Sequence, residues 1–141
     1  MSTEVNKIFV KSFKYRLENL NYQGINNSQG KEININVSNK IDIVTIGVNS
    51  LELRLTYSLV SDLDKKFSLS FDIFINYELD QKTYKNFNSI EEMKEYTKEK
   101  LLVLVNKTDV CSHASMLISQ ITSSFKNTPL VIAPFIVDNK V

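Results

Sequence analysis

The side chains that could do chemistry are few, and the chain's one histidine lies two residues from its one cysteine. Cys111 and His113 could form a thiol–imidazole pair for nucleophilic catalysis, but side chains two positions apart on a helix point in different directions. One histidine also supplies neither a second imidazole base nor a histidine-rich metal site. We therefore assign both residues structural roles and predict no catalytic residue, no cofactor and no metal ion.

Two groups of carboxylates are the other candidates. Asp62 and Asp64 could ligate a cation, but they lie between two strand-like runs, where aspartate is common in turns. Glu91, Glu92 and Glu95 open a predicted helix, where acidic side chains interact favourably with the helix dipole. An acidic contact for a basic partner is the less favoured interpretation of these glutamates. The three glycines of the chain form no phosphate-binding loop.

Composition limits the classes of partner. The chain has 141 residues, of which 43% are hydrophobic, so we expect a single domain over residues 1–141 with one ordinary core. Its 17 lysines and arginines balance 16 acidic residues, which argues against nucleic acid as a partner. No apolar run is long enough for a signal peptide or a membrane span, and one cysteine permits no internal disulfide. We expect a soluble, cytoplasmic protein.

Two runs of strict alternation organise the chain. Residues 51–59 and 67–77 carry apolar side chains at odd positions and mostly polar ones at even positions. A period of two residues is typical of a strand with one solvated face. Two such strands joined by residues 61–66 predict an antiparallel hairpin. Its apolar face is too large to leave in water, so other elements must cover it.

Two strand regions precede the hairpin. Residues 7–17 predict a first strand with Phe9, Phe13, Tyr15 and Leu17 on one face, in which Lys11 marks a bulge or an exposed edge. Residues 18–31 show no period and predict a loop of about a dozen residues. Residues 32–48 predict another strand region with a bulge or short turn near residue 40. The sheet then has four strands, or five if residues 32–48 are split.

From residue 89 the hydrophobic period becomes helical. Ser89 and Glu92 form a capping box, in which the serine hydroxyl accepts the Glu92 amide and the glutamate carboxylate reaches back to the cap. This helix is predicted to extend to about residue 105, and Asp109 is predicted to cap a second helix.

The second predicted helix has two faces. Its apolar stripe contains Val110, Ala114, Leu117, Ile121 and Phe125, with Ile118 widening it. The opposite face contains Ser112, Ser115, Ser119 and Ser123. Small side chains at this spacing either allow another helix to approach closely across a subunit interface or are simply solvated. The spacing alone does not separate these two interpretations.

The chain closes with an apolar segment, residues 127–138, that contains two prolines. Pro129 ends the second helix, and Pro134 prevents a regular central strand. Because so many apolar side chains are unfavourable in water, we expect the segment to pack against the sheet or against another chain.

Several of these features together resemble the SecB protein-export chaperone family. They are the His113-Ala114 step that opens the second helix, the polar and apolar run of residues 118–122, and Ile132-Ala133-Pro134 after an earlier proline. Residues 7–11 resemble the first strand of that family, and the hairpin matches its third and fourth strands in order and length. In order of elements the resemblance covers most of the chain.

The resemblance implies a fold class and a function. The fold class is α+β, with a four-stranded antiparallel sheet and C-terminal helices packed on one face. The function is that of a cytoplasmic, ATP-independent chaperone, a dimer of dimers that binds unfolded polypeptides in apolar grooves on the surface of the tetramer. The implied client-binding residues are Leu20, Tyr22, Ile25, Ile33, Ile35, Val37 and Phe135. The expected oligomer interface contains Phe9, Ser112, Ser115 and Ser119.

This sequence also departs from the export members of that family. Those members continue past the proline segment into another helix and a flexible tail, whereas this sequence stops at Val141. The resemblance is therefore to a divergent member with a shortened C-terminus, such as a chaperone attached to a toxin–antitoxin pair or encoded by a phage. The export motor ATPase is kept among the candidate partners. A dedicated protein–protein adaptor with a single partner is the alternative, and an enzyme is not expected.

Overall fold

A computed structural model describes residues 7–23, 35–61 and 68–124, with side-chain surroundings as far as Thr122. The strands are β1 (Val10–Gln23), β2 (Ile35–Ile46), β3 (Ser50–Ser61) and β4 (Ser68–Leu79). A short 3-10 helix (Tyr84–Asn86) follows, and then α1 (Ile90–Lys98), α2 (Leu101–Asn106) and α3 (Val110–Ser124). The strands form one antiparallel sheet in the order β1-β4-β3-β2. The predicted α+β class is confirmed.

The central hairpin is also confirmed, and its alternation defines the two faces of the sheet. Leu51 lies opposite Tyr77, and Leu59 lies opposite Leu69. Every odd-numbered side chain from 51 to 61 in β3 and from 69 to 79 in β4 is buried, whereas the even-numbered ones are half-buried or exposed. Because side chains alternate between faces along a strand, β3 and β4 bury one face of the sheet and leave the other open.

The helices cover that buried face. Met93 of α1, Leu104 and Val105 of α2, and Ala114 and Ile118 of α3 are each at most 2% exposed. These side chains belong to the same hydrophobic cluster as the odd-numbered residues of β3 and β4. The C-terminal helices therefore pack on one face, as predicted.

The helical region has more breaks than its sequence pattern predicts. The hydroxyl of Ser89 accepts the Glu92 amide at 3.1 Å, which confirms the cap, but the Glu92 carboxylate accepts the amide of Asn88 at 3.2 Å and not that of Ser89. The helix ends at Lys98, and α2 starts at Leu101. The turn between them reorients the chain, so that Leu104 and Val105 reach the core although α1 buries only Met93 and Thr97.

The buried stripe of α3 is rotated from the predicted one. Val110, Ala114 and Ile118 are buried as expected, but Cys111 and Thr122 complete the buried face. The predicted stripe members Leu117 and Ile121 lie half-buried at its margin, and Phe125 is outside the described residues. The hydroxyl of Thr122 donates to the carbonyl of Ile118 at 2.8 Å, so a polar side chain is satisfied inside the core. A pattern based on apolar residues alone misses it.

Strand β1 continues through half of the predicted loop. Residues 18–23, expected to be irregular, belong to β1, so Leu20 and Tyr22 lie on a strand. The register shifts between Glu18 and Asn21, where Asn19 adopts the left-handed conformation with φ of 59°. The side-chain amide of Asn19 donates to the Asp72 carboxylate at 2.7 Å. This bulge inserts one residue and resets the alternation, which is why the alternation of β1 does not continue through residues 18–23.

The other two irregularities concern Lys11 and β2. A register shift between Val10 and Ser12 confirms the predicted bulge at Lys11. Strand β2 is a single strand, and its register shift lies between Ile43 and Thr45, not near residue 40. The sheet therefore has four strands and not five.

Substitution of Asn19 tests the left-handed bulge. Asn19→Gly and Asn19→Ala both remove the hydrogen bond to Asp72, but only alanine carries a Cβ atom into the left-handed region. After allowance for the greater entropy of glycine in the unfolded chain, we expect the free energy of unfolding to be about 1 kcal/mol lower for Asn19→Ala than for Asn19→Gly. Urea denaturation followed by circular dichroism measures the difference. Equal stability of the two variants would contradict the bulge.

Candidate functional site

One row of side chains crosses the whole sheet on the helical side. Tyr22 of β1 lies opposite Leu69, Leu69 lies opposite Leu59, and Leu59 lies opposite Val37 of β2. Neighbouring strands are about 4.8 Å apart, so Tyr22 and Val37 are separated by about 14 Å. The sheet thus brings two predicted client-binding residues to the same level at its opposite edges.

The exposure of this row decides what it can bind. Leu59 and Leu69 are completely buried, whereas Val37 is 42% exposed. On the β1 side, Leu20 is 47% exposed and Leu17 is 42% exposed. We call Leu17, Leu20 and Val37 the apolar margins, because they flank a covered centre on the two edge strands. The described residues therefore offer apolar surface at both edges of the sheet and none over its middle.

The remaining predicted client-binding residues divide into two groups. Tyr22 and Ile35 are half-buried and pack against the core, so they expose less apolar surface than the margins do. Ile25, Ile33 and Phe135 lie outside the described residues. Leu17 was predicted only as a strand residue. Its signal is that it ends the apolar alternation of β1 just before the bulge, where less of the helical layer covers it.

The predicted interface residues lie in two places. Phe9 precedes β1, and its ring lies under the Lys82 ammonium, 4.5 Å from the ring centroid. Ser112 is exposed, whereas Ser115 and Ser119 are half-buried. These serines therefore follow one flank of α3 and do not lie opposite its buried stripe.

The outer face of the sheet is polar and largely neutralised by its own ion pairs. Arg16 pairs with Glu18 and with Glu52, and its guanidinium lies 4.5 Å from the centroid of the Phe74 ring. Arg54 pairs with Asp42 at 3.2 Å. This face matches the predicted solvated side of the hairpin.

A depression of about 490 Å³ lies on this outer face beside the β2–β3 turn. It is open to solvent, and its lining includes Ser12, Lys14, Asn49, Glu52 and Asn76. Sites for small ligands are usually enclosed and mostly apolar. The depression lacks both properties.

A buried polar group lies between the sheet and α3. Burial, and to a smaller extent the neighbouring Cys111 thiol, raise the pKa of Tyr57 well above its ordinary value of 10.0. Burial likewise raises the pKa of Tyr77, whose hydroxyl donates to the carbonyl of Leu104 at 3.2 Å. Burial also raises the pKa of the Cys111 thiol, which therefore stays protonated and is a poor nucleophile.

His113 is not aimed at this thiol. Cys111 is 1% exposed, whereas the His113 side chain is 51% exposed. The His113 ring lies 5.5 Å from the Tyr15 ring, and its Nε2 atom lies 3.6 Å from the Asp109 carboxylate. Asp109 directly precedes α3, as predicted, and its carbonyl accepts the His113 amide, while the hydroxyl of Thr108 accepts the Val110 amide. The two side chains point in different directions, as predicted from their spacing.

Two further kinds of site were sought in the residues that the structure describes. No group of three or more histidine, cysteine, aspartate or glutamate side chains among them is placed to hold a metal ion. Over the same residues, none of the helices combines the length and the apolar character that crossing a bilayer requires.

This arrangement is a SecB-like fold: a four-stranded antiparallel sheet with C-terminal helices on one face. A similar solved structure is the Mycobacterium tuberculosis SecB-like chaperone Rv1957 in complex with a ChAD peptide from the Rv1956 HigA1 antitoxin. The likeness covers 91% of this chain and 87% of that chain, with a TM-score of 0.53 and 10% sequence identity. No family model matches this sequence, and no curated protein matches it. At this identity the likeness concerns the fold.

The buried phenol of Tyr57 predicts a loss of stability in alkali. Its pKa is raised in the folded state, so its stabilising effect is complete below the unfolded value of 10.0 and is lost as the pH rises above it. Between about pH 8 and about pH 11, we expect Tyr57→Phe to lose about 1 kcal/mol less free energy of unfolding than the parent protein. Urea denaturation at both pH values measures this. An identical loss in both proteins would contradict a buried, protonated Tyr57.

Proposed function

We propose that this protein is an ATP-independent, SecB-like chaperone that binds unfolded polypeptides. The observation that carries the proposal is the pair of apolar margins on the edge strands, where Leu17, Leu20 and Val37 are each more than 40% exposed. The likeness to the fold of a chaperone that was solved with a bound peptide supports it.

The margins suit a flexible, apolar ligand. Covering an exposed aliphatic side chain is favourable by about 1 kcal/mol or more, and several such contacts are needed to hold a chain that loses entropy on binding. The two margins are about 14 Å apart, which an extended segment of about five residues can span. Such contacts recognise hydrophobicity and not one sequence, as a chaperone with many clients requires.

A second candidate function is that of a dedicated adaptor with one partner. The observation that favours it is the antitoxin peptide bound to the Mycobacterium tuberculosis chaperone of similar fold. A chaperone should delay the aggregation of several unrelated unfolded proteins, whereas an adaptor should act on one. An enzyme is disfavoured, because the described side chains include no acid–base pair beside an enclosed pocket.

Assembly and location belong to the same proposal. We propose a cytoplasmic homo-oligomer, most simply a tetramer, in which the flank of α3 with Ser112, Ser115 and Ser119 faces another subunit. Beside this flank, Met116 is 58% exposed, which is the kind of large apolar side chain that a neighbouring subunit can cover.

Removal of the margins tests the chaperone function. We expect Leu20→Ser combined with Val37→Ser to weaken the suppression of client aggregation at least about fivefold, because the apolar contacts are lost while the covered core is untouched. Light scattering from several unrelated, reduced client proteins measures suppression. The matched control is Val44→Ser combined with Val48→Ser, since these valines are 42% and 50% exposed near the opposite end of β2. Equal loss in both double variants would contradict the assignment.

The mass of the particle tests the assembly. We expect multi-angle light scattering to give a tetramer that gains one client chain when an unfolded, reduced protein is added. A monomer or dimer that ignores every client would contradict both the assembly and the chaperone function. Binding of only one natural partner would instead favour the adaptor.

A further inference from the structure

The segment that precedes β1 is held rigidly against the end of the sheet. The hydroxyl of Thr83 accepts the Phe9 amide at 2.9 Å and donates to the Phe9 carbonyl at 3.2 Å. The side-chain amide of Asn86 donates to the Lys7 carbonyl at 2.9 Å. Ile8, between them, is completely buried. Because the backbone is held on both sides of Ile8, the side chains of Lys7 and Phe9 start from a fixed backbone.

Three lysines lie over aromatic rings on this surface. The ammonium of Lys7 lies 5.6 Å from the Phe87 centroid and 5.8 Å from that of Tyr96, and Lys100 lies 5.5 Å from the latter. Lys82 lies 4.5 Å from the centroid of Phe9. We call this surface the lysine–aromatic platform. It contains Lys7, Lys82 and Lys100 together with Phe9, Phe87 and Tyr96.

The platform differs from the outer face in how its cations are satisfied. Lys11, Arg16, Lys40 and Arg54 each have a carboxylate within 4 Å. Among the described residues, no carboxylate lies that close to the three platform lysines. The aromatic rings beneath these lysines carry no charge and do not neutralise them.

Other charged groups surround the platform and leave it positive. Lys85 adds a cation on the 3-10 helix, and Lys98 is paired with Glu95. Asp80 accepts the backbone amide of Lys82 at 3.0 Å, and Glu99 precedes Lys100. Glu92, whose carboxylate accepts the Asn88 amide beside Phe87, adds a third carboxylate, so four lysines without an ion pair face three carboxylates in the described part of the chain.

We propose that the lysine–aromatic platform binds an acidic polypeptide segment that also carries aromatic or aliphatic side chains. An ammonium over a ring still has N–H donors directed to solvent, and carboxylates are their strongest polypeptide partners. The half-buried rings of Phe9 and Tyr96 beside these donors offer apolar surface to such side chains. Nucleic acid fits less well. Phe87 is 7% exposed and packs edgewise on Tyr96, and lysines cover the ring faces on which bases would stack.

The platform lies at the opposite end of the sheet from the row formed by Tyr22, Leu69, Leu59 and Val37. Along β4, Leu69 belongs to that row, and Leu79 pairs with Val10 beside the platform. Ten residues of strand separate the two levels by about 33 Å. A partner with an acidic segment and an unfolded apolar segment could therefore engage both surfaces at once, which would raise its affinity through effective concentration.

A fluorescent peptide rich in aspartate and glutamate, with two phenylalanines, tests the platform by anisotropy. We expect Lys7→Gln, Lys82→Gln and Lys100→Gln together to weaken binding at least about tenfold, and an increase in salt from about 50 to about 300 mM to weaken it for the parent protein. The matched control is Lys11→Gln, Lys14→Gln and Lys40→Gln, which makes the same change in net charge on the outer face. This control should change the affinity less than about twofold.

Further measurements make the outcome decisive. Circular dichroism checks that both triple variants are folded. If the platform triple variant is unfolded, the single variant Lys82→Glu replaces it and should weaken binding of the peptide. Equal binding of a peptide with asparagine and glutamine in place of the acids would overturn the proposal, as would tighter, platform-dependent binding of a thymidine oligonucleotide of equal charge. The Leu20→Ser, Val37→Ser variant should still bind the acidic peptide, so failure of the chaperone function and failure of the platform are distinguishable.

Discussion

Burial of the odd-numbered face of β3 and β4 is the constraint on which the rest of the structure depends. Both strands alternate strictly, so one face of the hairpin is almost entirely apolar, and Tyr57 stacks on Phe71 at its centre with 5.2 Å between the ring centroids. A two-stranded hairpin is marginal in water. The edge strands widen this face, and α1, α2 and α3 cover it, because only a layer of helices supplies enough apolar surface from one side.

That one-sided burial explains where binding surface remains. The helical layer covers the central strands completely, but it leaves Leu20 and Val37 exposed on the two edge strands. The outer face carries its own ion pairs, such as Arg54 with Asp42, and needs no partner. Within the described strands, the exposed large apolar side chains thus lie on the two edge strands, where a flexible polypeptide can reach them.

Charge is distributed as unevenly as apolar surface. On the outer face of the sheet, carboxylates pair with Lys11, Arg16, Lys40 and Arg54, whereas Lys7 and Lys82 lie over rings at the end of the sheet. Since a ring does not neutralise an ammonium, we expect this end to attract anions although the net charge of the whole chain is only +1. Apolar and electrostatic recognition are therefore separated along the strands, and a single partner could use both.

The alternation of the hairpin, the cap at Ser89 and the helical period after it were sufficient to predict the α+β fold, because these signals are local and strong. Leu20, Tyr22 and Val37 were predicted as client-binding residues, but only the register of the sheet shows that Tyr22 and Val37 share one row. Tertiary structure alone decided three features: the bulge at Asn19, the helix break after Lys98, and the rotation of α3 that buries Thr122. The bulge depends on the hydrogen bond from Asn19 to Asp72 on another strand, and the break and the rotation depend on the packing of the helices against the sheet, so no local pattern contains that information.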